Sequence, residues 1–165
     1  MTRQTAPANA AASQPIEQEL PAWDLGDLYP GADSPAVEAD LGKAEQAAQA
    51  FAAELQGKLA GLSGTALAAA IAEYERIEEV LGRLMSYAQL LFSGDSTNAG
   101  IGRFYQTISE RVTTISSHLL FFALEMNRLD DAALEQKLAD PVLARWRPWL
   151  DSRPDSNSSE WWRTL

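Results

Sequence analysis

The sequence predicts an all-α protein built on a long antiparallel helical hairpin, with one helix before it and short helices after it. Three observations carry that expectation. Apolar residues recur at alternating steps of four and three along three stretches of the chain. β-Branched residues are sparse, and no segment shows the period of two expected of a half-buried strand. Alanine is plentiful within an apolar fraction of 46%, and alanine favours helix more than it supplies buried area.

Residues 1–20 are rich in Ala, Gln, Pro and Ser without an apolar period, and read as a flexible leader. Next comes the string Pro21-Ala22-Trp23-Asp24-Leu25-Gly26-Asp27-Leu28-Tyr29-Pro30-Gly31. Its Trp23, Leu25, Leu28 and Tyr29 read as anchors, while Gly26 and Pro30-Gly31 mark turns, so the segment is expected to lie across a larger body. Asp33 or Ser34 then caps a first helix with Pro35 at its first position. Its stripe is Val37, Leu41, Ala44, Ala48, Phe51 and Leu55, which keeps one face inward. Gly57, Gly61 and Gly64 break the chain around Leu59 and Leu62.

A second helix starts near Ser63 or Thr65 and carries Leu67, Ile71, Tyr74, Ile77, Leu81, Leu84, Ala88 and Leu91. Glu73, Glu75, Glu78 and Glu79 lie mostly in its first half, where the helix dipole favours them. Ser93-Gly94 ends it, and Asp95 or Ser96 is placed to cap the third helix. That third helix has the cleanest pattern: Ile101, Tyr105, Ile108, Val112, Ile115, Leu119, Phe122, Met126 and Leu129. Gly100 and Gly102 weaken its first turn. The second and third helices are each expected to run roughly 28–32 residues, about 42–48 Å, and to pack as an antiparallel hairpin. Two shorter helices complete the chain. One starts at Asp130 or Asp131 with Leu134 and Leu138; the other starts at Asp140-Pro141 with Val142, Leu143, Trp146, Trp149 and Leu150, its regularity limited by Pro148. Stripes of this kind also suit a coiled coil between chains, but three of them separated by short breaks favour packing within one chain.

Thirteen basic residues against twenty-three acidic ones give a formal charge of −10. That balance argues against nucleic acid and anionic membrane as partners, because phosphate binding needs clustered Lys and Arg. The acidity reads either as solubility or as an acidic groove that selects basic peptides. No cysteine is present, which excludes disulfides and thiolate metal sites and fits a cytoplasmic protein. No secretory h-region and no span of about 20 apolar residues is found.

Candidate chemistry is scarce. A helical zinc site of the H-E-x-x-H type needs two histidines one turn apart, and this chain has only His118. That residue flanks the third stripe and reads as structural, as do the neighbouring Ser109, Thr113, Thr114, Ser116 and Ser117. Nucleophilic catalysis needs a base oriented by a third group, which adjacency in sequence does not supply. The glycines at 57, 61, 64, 94, 100 and 102 lack the Lys-Ser/Thr ending of a phosphate loop. Trp146, Trp149, Trp161 and Trp162 read as core or interface anchors before ligand platforms. No catalytic or metal residue is assigned, and substrate-binding residues stay open.

Four segments together resemble the N-terminal region of the oligoendopeptidase F family, zinc peptidases related to thimet oligopeptidase. They are Trp23-Asp24-Leu25-Gly26-Asp27-Leu28-Tyr29-Pro30-Gly31, Tyr87-Ala88-Gln89-Leu90-Leu91-Phe92-Ser93-Gly94-Asp95, Leu120-Phe121-Phe122-Ala123-Leu124-Glu125, and Leu138-Ala139-Asp140-Pro141 with Trp146-Arg147-Pro148-Trp149-Leu150. The likeness covers about residues 21–150, read as one helical domain. It implies a helical wall of a channel that admits oligopeptides and excludes folded proteins. In the family, zinc and H-E-x-x-H lie far downstream, so zinc is a cofactor of the full-length relative and not of this sequence. The resemblance thus implies a region inactive alone, whose partner would be the catalytic part; a free-standing helical binding module is the alternative. Residues 151–165 depart from the family pattern and read as an irregular, non-family tail, consistent with a truncated or frameshifted frame.

Overall fold

The computed structural model describes residues 23–151. The leader expected over residues 1–20 and the tail beyond Asp151 lie outside the described residues. Among the described residues the fold is all-α, with seven α-helices and one short 3₁₀ turn.

Helix α1 spans Pro35–Leu55. Ser34 caps it, its Oγ accepting from the Ala36 amide at 3.2 Å, and Pro35 occupies a position where a missing N–H costs nothing. Val37, Leu41, Ala44, Ala48 and Phe51 are buried as their spacing predicts. Gly57 then turns the chain with φ +80°, the left-handed region open to glycine. A 3₁₀ turn, Leu59–Gly61, seats Leu59 in the core. Helix α2, Gly64–Gly94, is 31 residues long and thus about 46 Å from end to end. Ser63 caps it through the Ala66 amide at 3.1 Å.

Helix α3 spans Ala99–Ser117. Its cap is Asn98, whose Oδ1 accepts from the Gly100 and Ile101 amides at 2.9 and 3.3 Å, and not Asp95 or Ser96. Asp95 is engaged one turn earlier, where its Oδ1 accepts from Thr97 N and Oγ1 at 3.2 and 2.8 Å. The pairings fix the topology. Phe51 meets Tyr74 at 6.4 Å between centroids while Asp40 meets Arg83, so α1 and α2 are antiparallel. Near the turn that follows α2, Phe92 stacks on Tyr105 at 5.1 Å, and farther from it Tyr74 stacks on Phe122 at 4.7 Å, so α2 and the chain after it run antiparallel as well. Helices α1 and α3 therefore run parallel, with Arg111 reaching both Glu38 and Glu45 at 3.5 Å.

The third stripe does not form a single helix. The chain turns at His118 and Leu119, and α4 covers Leu120–Asn127. At the turn the amides of His118, Leu119 and Phe122 bond three residues back, to Ile115, Ser116 and Leu119, which tightens the backbone. The phase of the stripe survives, so Leu119, Phe122, Met126 and Leu129 are still buried. Phe121 is buried too, and Phe51 lies against both Phe121 and Phe122 at 5.7 and 5.3 Å.

Helix α5, Asp131–Leu138, is capped by Asp130. The last expected helix divides into α6, Pro141–Ala144, and α7, Arg147–Asp151. Proline clashes with the carbonyl four residues earlier; for Pro148 that residue is Ala144, where α6 ends. Helices α5 and α6 fold back onto the first half of α2. The buried side chains form one core cluster reaching from Tyr29 to Leu150. Of the expected anchors in the segment before α1, Tyr29 is buried and Leu25 and Leu28 pack on the core. Trp23 is the correction: it precedes the turn that packs, and is 70% exposed. No helix among the described residues is long and apolar enough to cross a membrane.

Candidate functional site

Parallel α1 and α3 leave a groove of about 810 Å³ between their first turns. The buried side chains of Val37 and Ile108 form its floor, with Ile101 and Phe104 beside them. Asp33 and Glu38 stand on the α1 side, and Arg103 stands on the α3 side. A smaller hollow of about 280 Å³ continues along the same seam beside Glu45, Arg111 and Thr114. Such a seam can take an apolar or extended ligand with a charge at either rim. It offers no activated nucleophile: the Ser34 hydroxyl at its mouth already caps α1.

The residues singled out from sequence are dispersed. His118 ends α3, half-buried. The hydroxyls near it serve their own helix: Thr113 donates to Ser109 O at 2.8 Å, Thr114 to Glu110 O at 3.0 Å, and Ser117 to Thr114 O at 2.6 Å. The four acids of α2 also part company. Glu73 accepts the Arg76 fork at 2.8 and 2.6 Å, and that contact holds its carboxyl below the usual range. Glu75 accepts from Trp146 Nε1 at 2.8 Å. Burial pushes the Glu78 carboxyl up, and Glu79 faces solvent. Among the described residues no three His, Cys, Asp or Glu side chains gather as metal ligands would. Trp146 is buried under the Arg145 guanidinium, 3.6 Å from its ring centroid, while Trp149 is half-exposed. Trp161 and Trp162 lie outside the described residues.

Sequence reasoning missed the polar ties that join distant segments. Tyr29 donates from its hydroxyl to Asp40 at 2.9 Å and accepts from Arg83 Nε at 3.2 Å, and Arg83 also bonds Asp40 at 2.7 Å. Burial, ahead of its bonds, raises the Tyr29 hydroxyl above its ordinary range. Glu125 accepts from the Gly57 amide at 2.6 Å and the Leu59 amide at 3.4 Å. Lys137 donates to the carbonyls of Ala60 and Leu62. Thr65 donates to Asp140 at 2.5 Å, which lowers the Asp140 carboxyl. Except for Tyr29 and Asp40, 11 residues apart, these partners are 43 to 77 residues apart and leave no local signature. Phe104 had a weak one, since Ile101, Phe104 and Ile108 form an i, i+3, i+7 set beside the main stripe.

Comparison with known proteins adds no relative: no family model matches the chain, nor does any curated protein or solved structure.

Proposed function

We propose that the chain is a helical wall module of the oligoendopeptidase F type, shaping a channel for oligopeptides beside a zinc catalytic region that this sequence does not contain. One observation supports the reading above others. The segments that carry the resemblance are the ones whose side chains close the bundle. Tyr29 of the first packs edge-on against Tyr87 of the second at 5.2 Å. Phe122 of the third stacks on Tyr74 at 4.7 Å while its neighbour Glu125 holds the loop after α1. Asp140 and Trp146 of the fourth bond Thr65 and Glu75. In this reading the module works in the cytoplasm, presents the α1–α3 seam to peptide, and binds no zinc itself, since a single histidine cannot form H-E-x-x-H.

The test mixes the purified chain with the catalytic part of an oligoendopeptidase F-type enzyme stripped of its own N-terminal helices. Cleavage of a quenched fluorescent oligopeptide is monitored with zinc present. The chain alone is expected to give no turnover, and the mixture to gain activity over the catalytic part. Turnover by the chain alone, or a mixture no more active than the catalytic part, would overturn the proposal.

A free-standing helical binding module is the second reading. A core cluster continuous from Tyr29 to Leu150 favours it, because a self-sufficient core lets a chain fold without a partner. It expects a monodisperse protein with one cooperative melt and no effect on the catalytic part.

A further inference from the structure

We draw no further inference here: the strongest candidate, the open groove between the first turns of α1 and α3 with Arg103 on its rim, is an unpartnered face, and nothing in the structure shows what covers it.

Discussion

The two halves of α2 are held by different physics. Its second half lies between α1 and α3, where Leu81, Leu84, Tyr87 and Ala88 are buried against long neighbouring helices. Its first half meets the end of α1 at Tyr74 and is otherwise covered by pieces of four to eight residues, each far too short to hold helical structure alone. Burial there is just as complete, with Leu67, Ala68, Ala70 and Ile71 inside. Long-range hydrogen bonds supplement it: Thr65 to Asp140, Trp146 to Glu75, Lys137 to the loop carbonyls, against the one cluster of Tyr29, Asp40 and Arg83 on the second half. Packing of long helices tolerates small shifts, whereas a set of hydrogen bonds demands position. The first half of α2 should therefore open locally at lower cost than the second.

The largest test of that contrast strikes the long-helix half. Leu84→Ala removes a side chain that is 1% exposed, and is expected to lower unfolding free energy by about 2–5 kcal/mol in denaturant titration. The loss should spare no region, because the whole core relies on that layer. A loss confined to α4–α7 in hydrogen exchange would reverse the assignment.

Two glycines in the same helix sharpen the comparison. A Cβ on Gly64 would meet the Lys137 carbonyl oxygen at 2.6 Å and Asp140 Cβ at 2.7 Å, whereas one on Gly82 meets nothing within 4 Å. Gly64→Ala is expected to cost about 1–3 kcal/mol and to expose the amides of α5 and α6. Gly82→Ala should instead stabilise by about 0.5–1 kcal/mol through helix propensity. Equal effects at both positions would mean that the short helices do not seat closely on α2.

Smaller still is Glu125→Gln, which weakens a charged acceptor for the Gly57 and Leu59 amides. A loss of about 1 kcal/mol is expected, with faster exchange at residues 57–62 and none at residues 99–117. The smallest effect concerns Glu78. Burial raises its carboxyl above the ordinary value of 4.5, so the folded chain holds that proton more tightly than the unfolded chain. Its contribution to stability is full below the ordinary value and is lost as pH rises through the raised one. Glu78→Gln should therefore be slightly stabilising at neutral pH, where solvent screening keeps the effect small, and neutral below the carboxylate range. A gain of the same size at both pH values would remove the carboxyl as its cause.

The same contrast explains what the amino-acid order made legible. Helical period locates the face of α1 because its partners are the long helices α2 and α3, and all five buried positions of α1 lie on the expected face. Ala68 and Ala70 escaped because α2 is packed by short helices as well as by α1 and α3, and a single stripe does not encode several covered faces. The turn at His118 escaped because it preserves phase: a pattern of fours and threes reads the same across a tightened turn. Capping was legible at Ser34, Ser63, Asp130 and Asp140, where one short polar residue adjoins the first turn. It failed at Asn98, where four polar residues compete in a row. The α1–α3 groove was not legible, since it exists only because two helices distant in sequence run parallel.

The ties between the loop after α1 and the short helices also carry a meaning in time. Gly57 waits for Glu125, 68 residues on, and Thr65 waits for Asp140, 75 residues on. During synthesis the hairpin of α2 and α3 can close as soon as its own turn emerges, at a small entropic cost. The ties at the other end of α2 cannot form until nearly all of the described chain has left the ribosome. Until then Leu67 and Ile71 lack their cover, and that interval is when a nascent chain of this design is most open to chaperones and to misassociation.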